Sequence, residues 1–238
     1  MTESGTKQGG RHKGGTGKGG TRRAAAGGSI KPAGQWHHGD LRASLIAWGL
    51  HLLDTQGIAA MSMREAAKLA GVSPGAPAHH FQDRNGLLAA IAAQAFRELG
   101  AFRGNRAQLI PRDSPGNKLR ALLVGYAEFA HMYPARFHLM FGPVIERREQ
   151  YPELQEASSG SFGRVRETVA ACLEGREPGT LTEEQLAFCV WTAAHGLATL
   201  TATQGGSRAI SAEPDGVEQM ADIVATFCLA ALRHHESR

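Results

Sequence analysis

The stretch Gly71-Val72-Ser73-Pro74-Gly75-Ala76-Pro77-Ala78-His79-His80-Phe81 sets two adjacent histidines in a segment of small residues, prolines and glycines. Imidazoles can ligate a metal, exchange protons near neutral pH, or hydrogen-bond a phosphate or a base edge. Spacing discriminates among these. Adjacent positions on a helix point about 100° apart, so His79 and His80 do not form the i, i+4 pair that holds one metal ion. His37 and His38 share that adjacent spacing; they could form a metal site with an outside partner, but better suit a cap and contact role at the start of the first helix. His131 and His138 flank Tyr133 and could act as acid and base, although an aromatic helix end explains them as well. Trp191 and His195 are i, i+4 neighbours on one helical face. That histidine could hydrogen-bond an effector or titrate with pH; it could equally be a satisfied core or interface residue. The chain has no glycine-rich phosphate loop, no HExxH and no GxSxG, and its histidines and carboxylates form no catalytic constellation. No catalytic residue, metal site or cofactor is therefore expected.

The elements that position these residues read as helices throughout. Leu41, Leu45, Ile46, Trp48, Gly49, Leu52 and Leu53 recur at helical spacing before the glycine stop of Thr55-Gln56-Gly57. Ser62-Met63-Arg64-Glu65 forms a capping box that opens a short second helix with Ala66, Ala67, Leu69 and Ala70. Gly71 ends that helix, Ser73 is placed to cap the next, and Pro74 takes a first helical position that needs no N–H. Two short helices joined by a glycine turn are the plan of a helix-turn-helix, whose second helix enters the major groove by its N-terminal residues. The small residues Gly75, Ala76, Pro77 and Ala78 would let the backbone approach DNA, and the amides near Ser73 form a natural phosphate site.

On the residues "HHGDLR" (37 to 42), "MSMREAAKLAGVS" (61 to 73) and "GAPAHHFQDRNGLL" (75 to 88), the region from Trp36 to Leu88 resembles the DNA-binding domain of the TetR family of bacterial transcriptional regulators. The resemblance implies a recognition helix from Ser73 to about Phe81. It places Arg42, Ser62 and Arg64 near the phosphate backbone, His79 or His80 on phosphate or base edges, and Phe81 in the core. Arg84 stands where the family usually has a phosphate-binding lysine. Ala78 departs from the family's usual tyrosine, so that phosphate contact is missing here.

Downstream, the pattern is helix with proline and glycine breaks. Leu87, Leu88, Ile91, Ala95, Phe96 and Leu99 mark a connecting helix, and Pro111 to Gly116 read as a loop. Further stripes run from Leu119 to Ala130, from Phe137 to Phe141 and from Phe162 to Leu173. The most apolar pair, about 182–203 and 214–234, suggests a surface shared between subunits. In the family such a pair usually builds a four-helix bundle with its symmetry mate, so the resemblance implies a homodimer on a near-palindromic double-stranded operator. The segment Trp191 to Leu197 also resembles a Trp-His-Gly signature of one C-terminal subgroup. Tyr126, Phe129, Met132, Phe137, Met140 and Phe141 are candidate lining for an effector cavity, with Trp191 and His195.

Charge is unevenly spread. Residues 1–35 hold seven Lys and Arg against Glu3, a net of +6, which leaves −2 for the remaining 203 residues. That glycine-rich tail cannot bury enough surface to order itself and reads either as an arm lying along nucleic acid or as a solvated extension. Cys172, Cys189 and Cys228 are far apart in apolar patterns and read as small buried hydrophobes. No run of about 18 apolar residues exists, so no membrane partner and a cytoplasmic location are expected. The expected organisation is all-α: a disordered basic arm (1–35), a three-helix DNA-binding domain (36–84), and a larger helical effector-binding and dimerisation domain (85–238). The expected function is a sequence-specific regulator, released from its operator by a small molecule. Non-specific DNA binding through the tail and an enzyme seated in the C-terminal helices are the competing classes.

Overall fold

Asp40 opens the first described helix, its Oδ1 accepting from the Ala43 amide at 2.9 Å. The cap is thus this carboxylate, whereas His37 and His38 lie outside the described residues. The computed structural model describes residues 40–108, 114–175, 179–202 and 215–234. The arm at 1–35 is likewise outside them.

Helix α1 (Leu41–Gln56) stops at Gly57, whose φ of 78° few other residues adopt readily. A 3-10 turn at Ile58–Ala60 leads to α2 (Met63–Ala70), where Ser62 Oγ accepts from the Glu65 amide at 3.1 Å. Half of the expected capping box is present; the Glu65 carboxylate instead lies 3.6 Å from Lys68. After α3 (Ala78–Phe81) comes the long α4 (Arg84–Gln108). Helices α5 (Pro115–Met132) and α6 (Pro134–Phe141) follow, each with proline in the first turn, where its missing N–H costs nothing. Ser114 Oγ caps α5 by accepting from the Asn117 amide, so Pro115 and Gly116 belong to a helix and not to the expected loop. The chain ends in α7 (Pro152–Leu173), α8 (Glu183–Ala202) and α9 (Gly216–Arg233). Among the described residues no β-strand element is formed.

Helix α4 is the axis of the molecule. It packs on α1 at one end and on α5 and α7 along its length. The fit to α1 is close: a Cβ on Gly49 would stand 2.4 Å from Ile91 Cδ1. Leu45, Leu53, Leu87 and Leu88 are fully buried at this junction, each worth about 1.5–3 kcal/mol relative to exposure. The same core continues through Phe96 to Leu123, Val165, Val190 and Leu229. The expected domain limit at 84/85 coincides with the start of α4, yet the apolar core runs across it unbroken. Cys228 is buried and Cys172 half-buried, but Cys189 is exposed, because it sits with Phe188 and Thr192 on the outward side of α8. No helix among the described residues is long and apolar enough to cross a membrane.

Candidate nucleic-acid interface and ligand cavities

Gly71 makes the turn. Its φ of 72° is left-handed, its N–H reaches the carbonyls of Ala67 and Lys68, and Val72 N donates to Ala67 O at 3.0 Å. This Schellman-type stop redirects the chain into Ser73 and Pro74. The expected recognition helix from Ser73 is shortened to Ala78–Phe81. Pro77 is the cause: an α-helix begun at Pro74 would need the residue-77 amide to bond the Ser73 carbonyl, and proline has none. Ala76 N takes that carbonyl at 3.0 Å, and Ala78 N bonds Gly75 O at 3.2 Å, giving tight i to i+3 turns. Ser73 is consequently not a side-chain cap for α3.

These turns present Ser73, Gly75, Ala78, His79 and His80 to solvent, with Ala76 half-buried and Phe81 buried as expected. Pro77, read as a small DNA-facing residue, is buried instead. It wedges the turn against the core and is not available to a base edge.

The three arginines diverge. Arg84 donates from Nε to Met61 O at 2.8 Å and from Nη2 to Ile58 O at 3.0 Å, so much of its donor capacity fastens the α1–α2 connection. Arg42 hydrogen-bonds Glu153 in the first turn of α7, and its guanidinium lies 5.5 Å from the Phe81 ring centroid. Arg97 also meets Glu153, at 2.7 Å. Burial alone would raise the Glu153 carboxyl, but the bonds from Arg97 and Arg42 hold it below the ordinary range. Arg64 is exposed and has no ion-pair or hydrogen-bond partner among the described residues. Ser62 is half-buried with its hydroxyl committed to the cap.

Two cavities lie in the C-terminal helices. One of about 580 Å³ is walled by α6, α7 and α8, with Met140, Phe141 and Trp191 among its lining. A smaller one of about 320 Å³ meets Phe137, Phe141 and His195. Phe129 and Met132 line neither: Phe129 is packed against Phe102 and Tyr133 in the core, and Met132 is 48% exposed at the end of α5. Tyr126 is also fully buried, one layer behind the cavity surface. Its hydroxyl lies 2.8 Å from His195 Nδ1. His195 stands in an aromatic cage, its ring 4.8 Å from Phe141, 5.2 Å from Trp191 and 5.3 Å from Phe137. Burial lowers its pKa and raises that of Tyr126, so both are neutral at pH 7. Among the described residues no group of three or more His, Cys, Asp or Glu could hold a metal ion.

The family profile described as "Bacterial regulatory proteins, tetR family" matches residues 45–91, and the profile "Tetracyclin repressor-like, C-terminal domain" matches residues 119–226. This chain belongs to the TetR family. The first TetR match runs from α1 into α4 and contains the Gly71 turn; the second contains most of the lining of both cavities. The chain is 42% identical over 84 residues to the HTH-type transcriptional regulator BetI of Ectopseudomonas mendocina, a match covering 35% of this chain and 43% of that protein. It therefore spans about two-fifths of the length of that curated relative. With BetI of Cronobacter sakazakii it is 28% identical over 198 residues, 82% of this chain and 94% of the relative. A solved structure of a protein of unknown function from Rhodococcus sp. RHA1 superposes with a TM-score of 0.67 at 26% identity, covering 83% of this chain and 98% of that one.

Within this TetR fold, several residues that shape the cavities carry no signal in an apolar stripe. Arg148, Ser158, Ser159, Ser161 and Arg166 line the larger cavity; the polar positions along α7 are the available sign of the last four, and Arg148, in the turn before it, has none. Arg136 of α6 also escapes notice in the sequence, since its partners Asp54 and Glu98 are far away in the chain.

Proposed function

We propose that the chain is a dimeric, sequence-specific DNA-binding repressor whose operator affinity falls when a small molecule occupies the C-terminal domain. The observation that carries this reading is the exposed corner from Ser73 to His80, set by the left-handed Gly71 and held on α4 by the buried Phe81. Its small side chains suit close approach to a major groove, and Arg64, unengaged on the preceding helix, suits a phosphate. Ala78, His79 and His80 are the candidate base readers, and residues 1–35 a basic arm along the backbone.

Dimerisation is supported by an apolar outer face on the last two helices: Phe188 and Leu200 on α8, with Ile223 and Phe227 on α9, are all more than half exposed. A two-fold pair would present two recognition helices to a near-palindromic site. Ligand control has a physical route. Helix α6 lines both cavities and is pinned to α1 through Arg136 and Asp54, while α7 lines the larger one and grips α1 through Glu153 and Arg42. A ligand that favours another placing of α6 or α7 shifts the population of recognition-helix positions.

Selection from a random duplex library with the purified full chain tests the reading. Enrichment of one inverted-repeat motif is expected; a bound pool with no common motif would replace it by non-specific binding.

A further inference from the structure

Two arginines in the larger domain, Arg103 buried and Arg148 half-buried, have no carboxylate beside them among the described residues. Arg103 of α4 is 4% exposed; its Nη2 donates to Ser161 Oγ at 3.0 Å, and its Nε is buried with no hydrogen-bond partner among the described residues. Arg148, in the turn before α7, gives Nη2 to the Met140 carbonyl at 2.7 Å, and its Nη1 is inaccessible and unpartnered among the described residues. A guanidinium removed from water costs several kcal/mol unless an opposite charge compensates. Burial lowers Arg103 to about 10, with Tyr126 opposing and Arg164 adding to the shift, and burial alone lowers Arg148; no carboxylate acts on either. Both nevertheless stay charged at neutral pH.

Both charges act on the larger cavity. Arg148 lines it directly, and Arg103 acts through Ser161, which also lines it. Because Ser161 Oγ accepts from Arg103, its own proton is left to donate elsewhere. Ser159 also lines this wall, while Ser158 Oγ gives its proton to the Gln155 carbonyl at 3.0 Å; Arg166 adds a cation at the exposed rim against the carboxylate of Glu184. Most of the rest is aromatic: Phe162 and Phe188 pack on Trp191 at 5.9 and 5.8 Å, and Phe141 at 6.4 Å. An inorganic anion would leave that apolar wall uncovered, and a neutral molecule would leave buried Arg103 and half-buried Arg148 without an opposite charge.

We propose that this cavity of about 580 Å³ binds an organic carboxylate with an apolar body, the acid group at Ser161 and Arg148 and the body against Trp191. The proposal rests on the reading that the C-terminal domain holds the regulator's effector site. Its volume lies within the range usual for small-molecule sites.

Isothermal titration calorimetry of the full chain with sodium decanoate and 2-naphthoate, each beside its uncharged amide, tests the proposal and separates chain-like from planar bodies. At least one acid binds, with its amide about tenfold weaker or more, the loss expected for a charge-assisted hydrogen bond. Arg148→Gln and Ser161→Ala each weaken the acid and spare the amide. Arg148 also bonds the Met140 carbonyl and Ser161 accepts from buried Arg103; if either variant unfolds, the acid-to-amide comparison in the unaltered chain still decides. An amide that binds as tightly as its acid, or no binding by either acid, overturns the proposal. Anisotropy on the selected duplex separates the two readings: specific DNA binding without acid binding sinks the ligand class alone, whereas acid binding without any specific DNA binding sinks the regulator and leaves the ligand class standing.

Discussion

Arg136 Nε in α6 donates to both carboxylate oxygens of Asp54 near the end of α1, at 2.8 and 3.1 Å. The same guanidinium bonds Glu98 of α4 and lies 4.4 Å from the Tyr133 ring centroid. Burial alone would lower its pKa, but the bond to Asp54 and the charges of Glu98 and Asp54 raise it. One side chain thus joins the helix that walls both cavities to the first helix of the DNA-binding unit.

Arg136→Gln leaves two carboxylates without their cation. The expected result is a loss of about 1–3 kcal/mol in denaturant melts, together with a weaker effect of any cavity ligand on DNA affinity. A variant that melts like the parent and keeps its full ligand response would show that α6 does not communicate through Asp54.

Glu153 links Arg42 and Arg97, and its carboxyl is held below the ordinary range. A depressed carboxyl contributes stability above its unfolded pKa and loses that contribution as pH falls through the folded value. Thermal melts taken downward from neutral pH should therefore show an acid limb that Glu153→Gln makes shallower. An identical limb in both proteins would assign the acid sensitivity to other carboxylates.

Arg64 and Arg84 should separate cleanly. Arg64→Ala is expected to weaken binding to all duplexes and to reduce the slope of log affinity against log salt by about 0.9 per dimer half-site. Arg84→Ala removes two charged hydrogen bonds to backbone carbonyls and should cost about 1–3 kcal/mol of stability while base preference is kept. His79→Ala should change which bases are preferred. Equal salt slopes for Arg64→Ala and the parent would remove Arg64 from the phosphate contacts.

Phe227 is 71% exposed and Ile223 59% exposed on α9. Replacing both by Ser should leave the melting of the protomer nearly unchanged and shift the protein to monomer in sedimentation, with a large loss of affinity for the two-half-site duplex. A dimer that survives the double change would place the subunit interface elsewhere.

Much of this arrangement is readable from amino-acid order, because local chemistry sets it. The Ser62 cap, the Gly71 stop and the apolar stripes of α4 to α9 act within a few residues of themselves. Pro77 is the instructive failure. Proline one position after a favourable start reads as a helix opener, yet at the first position that must donate an amide it converts the helix to tight turns. In the sequence Arg42 and Arg84 resemble DNA contacts alone, because their partners in the fold, Glu153, Met61 and Ile58, are set by tertiary approach and leave no periodic trace. Phe129 and Met132 show the same limit from the apolar side. Helical spacing marks a face as apolar but does not say whether core, cavity or solvent meets it.

The most direct measurement is a fluorescence-anisotropy titration of the full chain on the selected inverted-repeat duplex, with excess unrelated DNA present. Binding that resists the competitor and saturates at two protomers per duplex is expected of a repressor reading DNA through Ser73 to His80. Binding lost to the competitor, with an affinity indifferent to scrambling the repeat, would contradict sequence-specific recognition by this corner.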